Sequence, residues 1–136
     1  MHSSIRAVLA ILALASVAPP VLAQSAYPSR PTRPIVPYPA GGATDVVARV
    51  VAEKMSESLG QPVVVDNRPG AGTMIGASTV ARSSPDGYTV LIGDTGTYAL
   101  NPTLDGARMT YSPLKDFAPV CRTVRVPLIL AADPKT

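Results

Sequence analysis

Residues 38–45 constrain the fold of this chain more than any other segment, because the backbone must change direction there. The segment reads YPAGGATD and separates a short apolar run, residues 35–36, from the clearest amphipathic helix in the sequence. Paired glycines leave the backbone N–H groups uncovered by side chains. A helix beginning at about Thr44 would point its free amides and the positive end of its dipole at the space above the loop. The segment therefore predicts a site for an anion or a carboxylate.

The helix after this loop is indicated by apolar side chains at helical spacing. It is predicted from Thr44 to Leu59, with Thr44 as the N-cap and Asp45 in the first turn, where it suits the helix dipole. Gly60 is placed just after the last turn, and Pro62 prevents the helix from continuing. The predicted buried face carries five apolar residues, Val47, Val50, Val51, Met55 and Leu59.

Three strand-like runs alternate with the helical segments. Residues 35–36, 63–65 and 88–92 are rich in apolar and β-branched side chains, and a glycine-containing loop follows each run. Pro34 and Pro37 remove ladder donors around the first run, so this strand is predicted to be short or to lie at an edge. The run 63–65 fits a strand that is buried on both faces.

The order of these elements predicts an α/β fold with a parallel sheet and right-handed crossovers. A second helix is predicted over residues 73–82. The loops that follow the strands would then emerge together at the carboxyl ends of the strands, where ligands bind in open α/β sheets. Further along, we predict a helical turn over 98–100, an irregular stretch over 103–115, and strands over 118–124 and 126–131.

The first 23 residues are typical of a secretory signal peptide. Arg6 gives a positive start, residues 7–18 are apolar, and Ala23 ends a small-residue cleavage site before Gln24. The apolar run is shorter than the roughly 20 residues of a membrane span, and an uncleaved N-terminal anchor is the alternative. We therefore expect an exported, periplasmic chain that begins at Gln24.

Export would remove His2, which is the only histidine of the chain. Without it, a Ser-His-Asp triad, a Cys-His dyad and a zinc site each lack a required residue. Cys121 is the only cysteine and is predicted to be buried in its apolar surroundings. The net charge of +3 comes from scattered side chains, which argues against nucleic-acid binding.

Several residues of the loops admit two interpretations. Gly41 and Gly42 form either an anion site or only a turn. Asp45 either contacts a cationic group of a ligand or only stabilises its own helix. Thr95 and Thr97 either offer hydroxyl donors on the same rim or cap the helical turn that follows them.

The segment 70–76, GAGTMIG, is close to a dinucleotide-binding motif but does not match it. Its last glycine lies one residue too far for G-x-G-x-x-G, and no acidic residue stands where a ribose partner is expected. Export would also separate the chain from cytoplasmic nicotinamide cofactors. A loop whose glycines allow a helix and a strand to pack closely is the simpler interpretation, and a nucleotide-dependent α/β enzyme is the alternative function.

Six segments of the expected mature chain together resemble one protein family. They are YPSRP at 27–31, VPYPAGGATD at 36–45, LGQPVVVDNRPGAG at 59–72, SPDGYT at 84–89, NP at 101–102 and KDFAPV at 115–120. In this order they are similar to the solute-binding receptors of bacterial tripartite tricarboxylate transporters, also called the Bug family. The resemblance covers nearly all of the mature chain.

The resemblance implies a periplasmic, monomeric receptor with no catalytic activity and no cofactor or metal. Its fold would be the type II periplasmic-binding-protein fold, in which two α/β lobes close around a small organic acid before the receptor docks on permease subunits in the membrane. Loops matching 38–45 and 93–97 would bind the ligand's carboxylate through backbone amides, hydroxyls and water. The site residues implied are Tyr38, Gly41, Gly42, Ala43, Asp45, Thr95 and Thr97.

The chain departs from the family pattern in length and at two positions. Family members are about twice as long, so the resemblance implies a fragment. Residues 24–125 would be a partial N-terminal lobe and residues 126–136 the start of the crossover to a second lobe. Such a fragment would bind weakly or not at all, because closure needs two lobes. Tyr98 stands where His is common, and Pro34 replaces an apolar strand residue. A single-lobe scaffold without a ligand is a third interpretation.

Overall fold

The computed structural model describes residues 27–126, in which three parallel strands form one sheet. The strands are β1 (Arg33–Val36), β2 (Asp66–Asn67) and β3 (Thr89–Leu91), in the order β2-β1-β3. Ile35 of β1 lies opposite Asp66 on one side and Leu91 on the other. The predicted α/β class and the parallel sheet are confirmed.

Strand β1 is short, as predicted, but it lies at the centre of the sheet and not at an edge. Arg33 and Ile35 face β3, where the Arg33 amide donates to the Tyr88 carbonyl at 2.7 Å and the Ile35 carbonyl accepts from the Ile92 amide at 3.0 Å. Pro34 lies between them and faces β2, because neighbouring residues of a strand direct their backbone groups to opposite sides. Its missing N–H therefore affects only one of the two ladders.

The predicted strand over residues 63–65 is wrong in its range, because only Val63 pairs there, in an isolated bridge with Thr32, and β2 begins at Asp66. The Thr32 amide donates to the Pro62 carbonyl at 3.0 Å, and the Thr32 carbonyl accepts from the Val64 amide at 2.9 Å. The next donor on that side of β1 would be Pro34, which has no N–H. Regular pairing resumes only at Asp66. Among residues 27–126, β2 pairs only with β1, and Val64, two residues before β2, is 54% exposed.

The first helix, α1 (Ala43–Leu59), agrees closely with its predicted range, but of the apolar residues predicted to be buried Val50 is exposed and the other four are only half-buried. Small residues contact the sheet, since Ala48 and Ala52 are buried, whereas Val50 is 57% exposed. Short side chains allow a helix to approach a sheet closely, so alanines replace the expected valine at the contact. Gly60 ends the helix in the left-handed conformation, and its amide donates to the Ser56 carbonyl at 3.1 Å, as predicted.

The second helix, α2 (Met74–Ala81), follows a 3₁₀ turn over Ala71–Thr73 and packs against the sheet. Gly76 and Ala77 are buried, and Gly76 approaches Pro37 and the Arg68 backbone so closely that a side chain has no space there. Gly76 therefore allows α2 to pack closely against the ends of the strands, which agrees with the simpler interpretation of segment 70–76.

After β3 the chain forms a longer helical segment than predicted. A π-helical turn over Gly96–Leu100 continues directly into α3 (Asn101–Leu104), and a 3₁₀ turn over Gly106–Arg108 follows. Pro102 does not end the helix, because it lies in the first turn of α3, where the fixed φ of proline is compatible with helical backbone. The Asn101 side chain donates to Thr73 Oγ1 at 2.9 Å and so joins α3 to the turn before α2.

The strand predicted over residues 118–124 is absent, since the described chain has no regular secondary structure from 117 to 126. Val120 is 87% exposed, and Cys121 is exposed and not buried. A β-branched run becomes a strand only where a neighbour completes the ladder, and none does so among the described residues. The predicted signal peptide and residues 127–131 of the last predicted strand lie outside the described range.

Gly76→Ala is expected to lower the free energy of unfolding by about 1–2 kcal/mol. A Cβ at this position would lie 2.8 Å from Pro37 Cβ and 2.9 Å from the Arg68 carbonyl oxygen. Overpacking of this kind costs about 1–3 kcal/mol, and the better helix propensity of alanine offsets at most about 1 kcal/mol. In urea, the midpoint of unfolding should fall while the slope is unchanged.

The matched control is Gly106→Ala, because no atom lies within 4 Å of a Cβ built at Gly106. This variant should unfold within about 0.5 kcal/mol of the original chain. Equal unfolding midpoints for the two variants would show that α2 does not approach Pro37 as closely as described.

Candidate functional site

The loops that follow the three strands emerge at one edge of the sheet, because the strands are parallel. Hydrogen bonds between side chains and backbone then join these loops to one another. Asn67, at the end of β2, donates to the Tyr38 carbonyl at 3.2 Å, and the Tyr38 hydroxyl donates to Asp94 at 2.6 Å. We call this edge, formed by residues 38–45, 66–72 and 93–97, the rim.

Asp45 directs its carboxylate into the protein and joins three segments of the rim. It is only 2% exposed and accepts hydrogen bonds from the Gly41 amide at 2.8 Å, from Arg49 Nε at 3.0 Å and from Asn67 Nδ2 at 2.9 Å. Of the two sequence interpretations, the structure favours stabilisation of the helix and loop. A cationic group of a ligand would compete with these three donors.

The partners of Asp45 lower its pKa to about 2. The largest cause is the hydrogen bond from Arg49, followed by those from the Gly41 amide and Asn67. Each donor stabilises the charged form of the carboxylate. Asp45 is therefore a fixed negative charge at neutral pH, and its charge is compensated inside the protein.

Arg49 and Asn67 are neighbours of the predicted site residues that sequence reasoning missed. Arg49 Nη2 donates to Asn67 Oδ1 at 3.0 Å, which completes a closed network with Asp45. The spacing of Asp45 and Arg49, four residues apart on a helix, was a signal for their pairing. Asn67 could have been found from its place directly after a strand, at the level of the first loop.

The amino end of α1 offers free backbone donors to solvent. Gly42 is the N-cap and no side chain caps the helix, while the Val46 amide donates to the Gly42 carbonyl at 3.0 Å. Among residues 27–126, the amides of Ala43 and Thr44 have no hydrogen-bond partner. Gly41, Gly42 and Ala43 are exposed. These amides and the helix dipole are suited to an anion.

Asp94 occupies the donors of the third loop. One carboxylate oxygen, Oδ1, accepts from the Tyr38 hydroxyl at 2.6 Å, the Gly96 amide at 2.8 Å and the Thr97 amide at 3.3 Å. Burial and the hydrogen bond to Asp94 raise the pKa of Tyr38 to about 12, so the phenol remains a donor. Asp94 lies in the predicted loop 93–97 but is not among the predicted site residues, although an Asp two residues before a Gly is a common turn signal.

The two threonines of the third loop differ in their access to solvent. Thr95 is exposed, whereas Thr97 is completely buried and its carbonyl accepts from the Tyr111 hydroxyl at 2.6 Å. Thr97 Oγ1 has no hydrogen-bond partner in the described part of the chain. Only Thr95 therefore presents its hydroxyl at the surface, while Thr97 would need a movement of the loop to reach a ligand.

The two main cavities among residues 27–126 are lined by none of the seven predicted site residues. A cavity of about 390 Å³ lies beside α2 and meets the rim only at Ala71, which is not one of the seven predicted site residues. Its walls are formed by Ala71, Met74, Ile75, Ser78, Thr79, Arg82, Arg108 and Thr110. Within residues 27–126, no helix combines the length and apolar character needed to cross a bilayer.

Comparison with known proteins gives consistent similarities. Residues 47–136 match the family model described as "Tripartite tricarboxylate transporter family receptor". The chain is 45% identical over 129 residues to Protein BugT of Bordetella pertussis, covering 91% of this chain but only 38% of BugT. The chain thus spans little more than a third of the length of this relative.

Two solved structures share both sequence and fold with the chain. MatC of Rhodopseudomonas palustris with bound malate is 40% identical, with a TM-score of 0.66 over 69% of this chain and 32% of MatC. A second Rhodopseudomonas palustris protein, with adipate, is 45% identical, with a TM-score of 0.53 over 54% of this chain and 24% of its own.

Asp45→Asn tests the carboxylate network through its pH dependence. The pKa of Asp45 is lowered in the folded state from 3.8 to about 2. The stabilisation from its charge is therefore complete above about pH 4 and is lost as the pH falls through about 2. We expect the variant to be less stable than the original chain at neutral pH, and the difference to shrink between these pH values in chemical unfolding experiments.

Glu53→Gln is the control, because it removes an exposed carboxylate from the same helix. It should change the free energy of unfolding by no more than about 0.5 kcal/mol. If the unfolding curves of Asp45→Asn and the original chain stayed equally far apart from neutral pH to about pH 2, the charge of Asp45 would not stabilise the rim.

Proposed function

The chain belongs to the tripartite tricarboxylate transporter receptor family, and from this membership we propose that it is a solute-binding receptor for a small organic acid. In this proposal the receptor works in the periplasm after cleavage of residues 1–23, as a monomer, and delivers its ligand to the membrane subunits of the transporter. Residues 24–125 would form an N-terminal lobe and residues 126–136 would begin the crossover to a second lobe.

The observation that carries the proposal is the set of free amides at the amino end of α1. Ala43 and Thr44 offer N–H groups without partners among the described residues, next to exposed glycines. A ligand carboxylate placed there would accept hydrogen bonds from these amides and interact favourably with the helix dipole. The structures of MatC with malate and of its relative with adipate support a carboxylate ligand.

The other predicted site residues would support this contact in different ways. Gly41 and Gly42 leave the approach to the amides open, and Tyr38 holds the first loop against the third. Asp45 would act indirectly, by fixing the Gly41 amide and α1. Thr95 follows Asp94 directly and is exposed, so its hydroxyl could reach a ligand. Thr97 is buried and would contact a ligand only if the loop moved.

The alternative, a nucleotide-dependent enzyme, is not favoured. Gly70 precedes a 3₁₀ turn and Gly72 lies within it. In a dinucleotide site, by contrast, the glycine-rich loop leads directly into an α-helix. The relatives that share the sequence are receptors of a transporter family. We therefore propose binding and delivery of a ligand, without a chemical step.

A thermal-shift screen of the full gene product tests the proposed function. Dicarboxylic, hydroxy and aromatic acids should raise the melting temperature, because a ligand that binds only the folded state stabilises it. Nucleotides and nicotinamide cofactors should not. Stabilisation by nucleotides alone would support the enzyme, and calorimetry without binding of any acid would support a scaffold.

Gly42→Val is expected to weaken acid binding at least tenfold, about 1.4 kcal/mol. The backbone of Gly42 (φ −76°, ψ 168°) is open to any residue, and a Cβ would meet only the Pro39 carbonyl at 3.5 Å. The fold should therefore persist while the isopropyl group covers the amides. Isothermal titration calorimetry measures the loss.

Gly106→Val is the matched control, since Gly106 lies away from the rim in a turn after α3. Its affinity for the acid should equal that of the original protein. If Gly42→Val kept both its fold and its affinity, the carboxylate would have to bind at another place.

A further inference from the structure

The third loop of the rim already holds a carboxylate that belongs to the chain. Asp94 Oδ1 accepts three hydrogen bonds, from the Tyr38 hydroxyl and from the amides of Gly96 and Thr97. These are the donors that a ligand carboxylate would need in order to bind at residues 93–97. The ligand therefore meets two unlike halves of the rim: free amides at α1 and an occupied loop after β3.

The other oxygen of Asp94 is available to a ligand. Oδ2 has no hydrogen-bond partner among residues 27–126, and the Asp94 side chain is exposed. An ionised carboxylate only accepts hydrogen bonds, and it repels a second negative charge. The Asp94 side of the rim is thus complementary to a group that donates a hydrogen bond.

We propose that Asp94 determines the ligand class: an organic acid that places its carboxylate at the α1 amides and donates a hydroxyl or ammonium hydrogen to Asp94 Oδ2. This inference rests on the proposed function of the chain as an acid receptor. Acids of the same carbon skeleton that lack such a donor bind more weakly, because Asp94 is then desolvated without a partner.

The geometry of Asp94 also restricts how the residue can be replaced. Because Tyr38, Gly96 and Thr97 all donate to one oxygen, an asparagine can keep the three bonds through its single amide oxygen. Its NH₂ group then takes the position of Oδ2. Asp94→Asn therefore exchanges an acceptor for a donor at the ligand-facing position and leaves the loop bonded as before.

The experiment compares matched acids by isothermal titration calorimetry of the full gene product. Three series are used, each differing in the substituent at C2: succinate, malate and aspartate; glutarate, 2-hydroxyglutarate and glutamate; and propionate, lactate and alanine. In the series that binds, the hydroxy or amino acid should bind at least tenfold more tightly than the unsubstituted acid, about 1.4 kcal/mol. The hydroxyl and ammonium members show which donor is recognised.

Asp94→Asn should remove this preference by weakening the substituted acid and strengthening the unsubstituted one. Asp86→Asn is the control, because it removes the same charge from the turn before β3, at the opposite end of that strand, where Asp86 pairs with Arg30. Asp86→Asn should bind the acids in the same order of affinity as the original protein. Circular dichroism confirms that both variants are folded.

The possible outcomes separate this inference from the proposed function. Binding with the unsubstituted acid tightest, or a ranking that Asp94→Asn leaves unchanged, overturns the role of Asp94 while the acid receptor stands. Absence of binding to every acid, in these series and in the thermal-shift screen alike, overturns the proposed function and the inference together. The ranking by the original protein is decisive even if Asp94→Asn does not fold.

Discussion

The buried carboxylate of Asp45 is the interaction on which the rim depends. It receives donors from the first loop, from α1 and from the end of β2, so three segments that are distant in sequence meet at one side chain. A buried charge is tolerated only when its hydrogen bonds are satisfied. The network therefore fixes the position of the Gly41 amide and the direction of α1 together, and with them the free amides beyond.

Such a network is needed because the sheet itself is small. Strand β2 has two residues, and Pro34 interrupts its ladder with β1. Short ladders leave the loops at their ends weakly positioned by backbone pairing alone. Side chains supply the remaining restraint, since Asn67 binds the Tyr38 carbonyl and Tyr38 binds Asp94. The side chains that present polar groups at the rim are thus also the side chains that hold its loops in place.

Local patterns in the sequence were sufficient to predict α1, the glycine loop before it, the end of the helix at Gly60 and the parallel order of the elements. Each follows from residues within a few positions of one another. The errors arose where a distant partner decides. Val50 is exposed because Ala48 and Ala52 contact the sheet, and Cys121 is exposed because no described strand pairs with its segment.

The same limit applied to the site. Glycines before a helix predict free amides, because the signal is local, and the amides of Ala43 and Thr44 have no partner in the part of the chain that the structure describes. The sequence could not show that Asp45 turns inward, since this depends on Asn67, 22 residues away. Nor could it show that Tyr38 and Asp94 meet, because they are 56 residues apart.

The two aspartates of the rim have opposite consequences for a ligand. Asp45 accepts three hydrogen bonds that are divided between its two oxygens, and it is buried. Its negative charge is therefore compensated by groups of the protein and is not presented to a ligand. Asp94 has three donors on one oxygen and remains exposed, so it keeps an acceptor at the surface. The proposed ligand would therefore meet two different parts of the rim. The amides at the amino end of α1 suit its carboxylate, and Asp94, joined to the first loop by Tyr38, suits a hydrogen-bond donor.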